Sequence, residues 1–137
     1  MTPPDLSDDE LLEQFEAATL PSGSFHHREH VRAAFLYLSR FPALEALDRF
    51  SEALRRFAAV SGKPDRYHET ITWAYVFLVR ERMADPAQSW EQFAGCHPDL
   101  LDWRNSILRK YYTDGTLASD QARRRFVMPD RHMARLS

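Results

Sequence analysis

The run Ile71-Thr72-Trp73-Ala74-Tyr75-Val76-Phe77-Leu78-Val79 is the most apolar passage of the chain, and it is approached through Tyr67-His68-Glu69-Thr70. A helix that is apolar on every side has no face to give to water and belongs in the middle of a bundle. The β-branched residues Ile71, Thr72, Val76 and Val79 would also suit a buried strand. The length of the segment and the helical patterns on either side favour a helix over about 67–83, stopped by Asp85-Pro86. Every other element has to be arranged around this one.

The flanking patterns supply its neighbours. Ser7-Asp8-Asp9-Glu10 reads as a capping box, with a serine at the N-cap and a glutamate three residues on, opening a helix with the stripe Leu11, Leu12, Phe15 that ends near Thr19. A second helix covers Phe25 to about Arg40 with the stripe Val31, Ala34, Phe35, Leu38, Phe41. Pro42 suits the first turn of a third helix through Leu47, Phe50, Leu54 and Phe57, with Gly62 just past its end and Lys63-Pro64-Asp65-Arg66 as a short linker. Ser89-Trp90-Glu91-Gln92 is a second capping box, for a short helix that Gly95 closes. Pro98 starts a sixth helix with the stripe Leu101, Arg104, Ile107, Leu108, Tyr111. Asp114-Gly115 reads as a turn, Ser119 caps a last short helix through Phe126, and Pro129-Asp130-Arg131 leads into a tail.

The predicted architecture is therefore all-α: a compact single-domain bundle of five to seven helices over residues 1–137, with 1–6 and about 128–137 as loose tails. A chain of 137 residues is long enough to bury a core without covalent staples.

Composition narrows the setting. The single cysteine, Cys96, excludes an internal disulfide framework and a Cys-rich zinc module, and fits a reducing, cytoplasmic compartment. No apolar run approaches the roughly 20 residues of a spanning helix, and the acidic start Asp5, Asp8, Asp9, Glu10 is the opposite of a signal peptide, so no membrane association is expected. Acids crowd residues 1–24, whereas Arg104, Arg109, Lys110, Arg123, Arg124, Arg125, Arg131 and Arg135 make the last third basic. The plain expectation is two solvated faces that attract one another. The cluster Arg123-Arg124-Arg125 has no recognition motif around it, so no nucleic-acid partner is expected.

Chemistry is expected at the starts of the second and fourth helices. Extending the second helix's core stripe back at 100° per residue puts His27 near its centre and His30 at its edge, with Glu29 on the opposite side. His26-His27-Arg28-Glu29-His30 contains H-x-x-E-H, the spelling of an inverted zinc-protease motif, but in that motif the glutamate must share the metal's face. A protease is therefore rejected. Short connections make successive helices antiparallel neighbours, so helices two and four run parallel and their first turns lie at one end of the bundle. His27, His30 and His68 meet there, His68 opening the stripe His68, Thr72, Tyr75, Val79.

The positive end of each helix keeps these imidazoles neutral. Three neutral imidazoles, with Glu69 beside them, suit one divalent metal ion (Zn, Fe, Mn or Ni) with a position open for water or substrate. The leading expectation is a small cytoplasmic metal-dependent protein, with an enzymatic action on a small polar or acidic molecule left open. His27, His30 and His68 are its metal ligands, Glu69 is a fourth ligand or general acid/base, and Tyr67 orients the ligand or donates a proton. The alternative is a non-catalytic accessory module that binds a small molecule or another protein without metal. In that case His68 bonds a backbone carbonyl, Glu69 complements the helix dipole and Tyr67 is a hydrophobic staple. Arg66 is placed to meet an anion at the two helix starts, or is a solvated linker charge. Trp73 and Tyr75 read as core, His97 as a loop or cap residue, and Cys96 as a packed or incidental thiol; His132 has no assignable partner.

The string Tyr67-His68-Glu69-Thr70-Ile71-Thr72, with His27-x-x-His30 before it and Phe126-Val127-x-Pro129-Asp130 after it, resembles an uncharacterised family of small bacterial all-α proteins. The resemblance covers most of the chain after Phe25. It supports the single domain and the pairing of His27 with His30, and it implies no activity.

Overall fold

Ser7 begins the first helix as its sequence requires: its hydroxyl accepts the Glu10 N–H, and the Glu10 carboxylate accepts the Ser7 N–H. The structure, a computed structural model, describes residues 6–131, apart from the Ser22 side chain. Helix α1 (Asp8–Glu16) is followed by α2 (His27–Arg40), α3 (Ala43–Val60), α4 (Glu69–Arg82), α5 (Trp90–Cys96), α6 (Pro98–Leu101), α7 (Asp114–Leu117) and α8 (Asp120–Arg124). Short 3-10 turns cover Ser22–Ser24, Pro64–Arg66 and Ile107–Lys110. The described residues contain eight α-helices and no strand, slightly more helices than the five to seven expected.

Helix α4 is the central element. Thr70, Thr72, Ala74, Tyr75, Val76, Leu78 and Val79 are all buried against α2, α3, α6 and α8, whereas Phe77, on the remaining face, is 46% exposed. Beside it, Phe15 of α1 is fully buried and stacks on Phe25 at 4.7 Å between centroids, with Phe50 and Phe57 of α3 at 5.9 and 6.1 Å. Each ring removed from water in this way contributes about 1.5–3 kcal/mol. Gly62, at φ 76°, ends α3 in the left-handed conformation that glycine adopts without steric cost, and turns the chain toward α4.

The structure departs from the sequence pattern after Pro98. The predicted sixth helix stops at Leu101, because short polar side chains capture the backbone: Asp102 accepts the Asn105 N–H at 3.1 Å and Ser106 accepts the Leu108 N–H at 3.2 Å. Arg104, expected in the core stripe, is exposed, while Ile107 and Leu108 still reach the core from the 3-10 turn. Gly115, expected in a turn, lies inside the one-turn α7, which Thr113 caps.

Residues 128–131, expected to be part of a loose tail, are tied down. The Asp130 carboxylate accepts hydrogen bonds from the Thr113 N–H and hydroxyl at 2.9 Å each and from the Thr116 hydroxyl. Arg131 donates through its backbone N–H to the Tyr111 carbonyl and through its guanidinium to the Arg109 carbonyl. The remainder of the expected tails, 1–5 and 132–137, including His132, lies outside the described residues.

The charge gradient also resolves differently from the expected attraction between two ends. Asp8 and Asp9 pair with Arg32 and Arg40 of α2, whereas Arg123 and Arg124 pair with Asp120 and Arg109 with Asp114. Neighbours in space or sequence neutralise each end separately, at no more than about 1 kcal/mol per exposed pair.

Candidate functional site

The first turns of α2 and α4 do lie at one end of the bundle. With the last turns of α3 and the linker that follows, they enclose a cavity of about 510 Å³. That lies within the usual range of small-molecule sites, about 300–1,000 Å³. Phe25, Phe50, Leu54, Phe57 and Ile71 line its apolar walls, and Trp103, 53% exposed, contributes from the segment after α6.

His27, His30, His68 and Tyr67 all line this cavity, as the parallel arrangement of α2 and α4 requires. Glu69 does not; its carboxylate accepts from the Tyr67 hydroxyl and pairs with Arg55 at 2.8 Å. Arg55 also lies over the Tyr67 ring, 4.9 Å from its centroid. Burial, followed by the bond to Glu69, pushes the Tyr67 phenol up to about 12. Both residues assigned acid–base work are thus engaged with one another.

The three histidines differ in what their rings have left to offer. His68 is the N-cap of α4: its Nδ1 accepts the Ile71 N–H at 3.1 Å, and its Nε2–H donates to the Leu117 carbonyl at 2.8 Å. That pair of bonds defines a neutral ring protonated on Nε2, with both nitrogens in use. His27 donates from Nε2 to the Leu100 carbonyl at 2.8 Å, leaving Nδ1 without a partner among the described residues. Its ring meets Tyr75 edge-on at 4.7 Å and Trp103 at 4.9 Å. The Tyr75 hydroxyl in turn bonds Ser106, so the 100–106 segment is attached to this wall at two points. His30 packs its ring against Phe25 at 4.5 Å and makes no side-chain hydrogen bond among the described residues.

All three imidazoles are held neutral. Burial lowers the pKa of His27 and His68, each against an opposing carbonyl bond, and Arg123 lowers His68 further. His30 is pushed down to about 3, first by burial and then by the neighbouring His27 and His26. Sequence reasoning anticipates this neutrality but assigns it to helix charge, whereas desolvation is the largest cause in each case.

Glu29 accounts for the H-x-x-E-H spelling. Its carboxylate accepts the His26 N–H at 2.8 Å and closes the first turn of α2. His97 sits between α5 and α6 within 3.2 Å of the Arg82 guanidinium, and Cys96 is an exposed free thiol, the incidental rather than the packed of the two expected cases. Trp73 stacks on Phe126 at 5.2 Å, away from the cavity.

The polar part of the lining is uniform in one respect. Lys63 and Arg66 line it from the exposed linker, and no aspartate or glutamate is among the described residues that line the cavity. The sequence named Arg66 but gave no reason to name Lys63 or Trp103. Phe50, Leu54 and Phe57 were legible only as a core stripe, and nothing in a stripe marks where the core opens into a cavity.

Among the described residues no group of three or more His, Cys, Asp or Glu that could hold a metal ion is found. No helix among the described residues is long and apolar enough to cross a membrane. Fold and site define a small all-α domain with an open, aromatic, histidine-lined cavity. No family model, curated protein or solved structure matches the chain.

Proposed function

We propose that the protein is a small-molecule binding module whose ligand is an amphipathic organic anion, an apolar body carrying a carboxylate. The observation that carries this reading is the lining itself: aromatic and aliphatic walls, Lys63 and Arg66 on the linker, and no acidic side chain among the described lining residues. The apolar body leaves water against Phe25, Leu54, Phe57 and Ile71, while the acid group meets Lys63 and Arg66. The neutral histidines leave the charge selection to these two bases. Tyr67 and Glu69, satisfied by one another and by Arg55, support the cavity wall and take no part in a reaction.

Calorimetric titration with phenylpropanoate, its methyl ester and phenylpropylamine tests the reading. The acid is expected to bind, the ester more weakly and the amine not at all, and Lys63→Glu combined with Arg66→Glu is expected to abolish the preference for the acid. Equal binding of acid and amine, or binding of none, overturns it.

A metal-dependent reading has one observation in its favour, the unused Nδ1 of His27 beside the unpartnered His30. It would rest on two imidazoles, since a third from His68 must first give up its cap or its carbonyl bond. Elemental analysis of protein purified without a polyhistidine tag decides it: stoichiometric metal lost in His30→Leu supports this second reading over the first.

A further inference from the structure

Of His27, His30 and His68, His30 is the one whose ring finds no hydrogen-bond partner among the described residues. His68 has both ring nitrogens bonded, His27 has one, and Tyr67 donates to Glu69, but His30 has no side-chain partner among the described residues. It is not an atom sealed inside the core: the buried, unpartnered polar atoms of the described residues are on Arg32, Ser51 and Trp73, whereas His30 faces the cavity. Its ring is packed on Phe25, which stands in turn 5.2 Å from Phe57, so apolar groups surround its approach.

A neutral imidazole presents one N–H donor and one lone-pair acceptor. A ligand that covers it with hydrocarbon strips water from both and returns nothing, a cost that falls on binding. A charged group there would lose its water against the same apolar groups, at a larger cost than a neutral one. A hydroxyl both donates and accepts, without charge. Lys63 and Arg66 stand on the α3–α4 linker and His30 on the second turn of α2, so acid and hydroxyl are addressed from different elements of the wall.

Resting on the anion-binding reading above, we infer that the ligand class is a hydroxylated apolar acid, with its carboxylate at Lys63 and Arg66 and a hydroxyl remote from it at His30. His30 is the specificity-determining residue for that hydroxyl, and an apolar acid without it is the discriminated competitor.

The test compares two pairs on the full chain by calorimetry at neutral pH: phenylpropanoate with its para-hydroxy derivative, and dodecanoate with its ω-hydroxy derivative. Two scaffolds cover the unknown span between the groups. In at least one pair the hydroxylated acid is expected to bind ~10-fold tighter or better, since a site built to bond a hydroxyl rejects the analogue lacking it. His30→Leu is expected to reverse that preference while still binding the unsubstituted acid. Equal or weaker binding of both hydroxylated acids by the wild-type protein overturns the inference and leaves the anion reading standing. An undiminished hydroxyl preference in His30→Leu overturns it too. Failure of every acid to bind removes both. The wild-type comparison decides the matter even where the variant does not fold.

Discussion

The two helix starts that wall the cavity carry the same residue types and use them in opposite ways. At the start of α4, His68 caps the helix and bonds the 114–118 segment, Tyr67 and Glu69 bond one another, and Thr70 takes the Val127 N–H while donating to the Arg125 carbonyl. Every polar group there serves the fold. At the start of α2, Glu29 bonds the His26 N–H, His27 has one ring nitrogen bonded, and His30 has no side-chain partner among the described residues. A histidine near a helix start is structural or available according to which partners the fold brings to its ring, and the two cases cannot be told apart by residue type.

The largest expected effect falls on the α4 side. His68→Ala removes a cap and a long-range hydrogen bond and is expected to cost about 2 kcal/mol, about half from each loss. Urea unfolding measures it. His68→Asn keeps a cap acceptor and should recover roughly half; a loss under about 0.5 kcal/mol in His68→Ala would erase the contrast between the two starts.

Acid sensitivity tests the α2 side. The folded-state pKa of His30 lies at about 3, below its ordinary value, so the unfolded chain takes up the proton first. Stability is lost as pH falls from about 6.5 toward about 3, by at most about 1.4 kcal/mol per pH unit for one proton. His27 and His68, lowered in the same direction, add to the loss. Urea midpoints taken between neutral pH and about pH 5, above the range in which carboxylates titrate, should fall in the wild-type protein and fall less in His30→Leu. Parallel slopes for the two proteins would remove His30 as the source.

Smaller effects refine the comparison. Glu29→Ala breaks the bond that closes α2 and is expected to cost about 0.5–1 kcal/mol, visible as a small drop in the unfolding midpoint. Arg55→Gln should cost under about 1 kcal/mol, because its partner Glu69 keeps the Tyr67 hydroxyl and Arg55 itself is half exposed. A loss well beyond that would mean that the Arg55, Tyr67 and Glu69 network holds the α4 start together more firmly than its individual bonds do.

Helices α1 to α5 were legible because their signals are local. Ser7 and Ser89 cap where their hydroxyls and the following Glu10 and Gln92 require, Gly62 ends α3, and the apolar run of α4 fixes its central place. Residues 98–131 were legible only at the Pro98 start of α6 and at the last helix, which Ser119 caps; elsewhere short polar side chains bond the backbone in competition with the helix. Asp102 and Ser106 break the predicted sixth helix, and Asp130 fastens what reads as a tail by reaching back to Thr113 and Thr116. Such choices depend on which partner is within reach, which spacing along the chain does not encode.

The sequence by itself determined an all-α fold around α4 and, through short antiparallel connections, the placing of His27, His30 and His68 on one cavity at one end of it. Only the tertiary structure decided what each ring is free to do. The Leu100 and Leu117 carbonyls that occupy His27 and His68 come from 73 and 49 residues away, and no long-range partner reaches His30 among the described residues. Hydrophobic periodicity places a side chain on a face, because burial is a property of the whole helix. The direction of a hydrogen bond is a property of two atoms, and it exists only once the chain has brought them together.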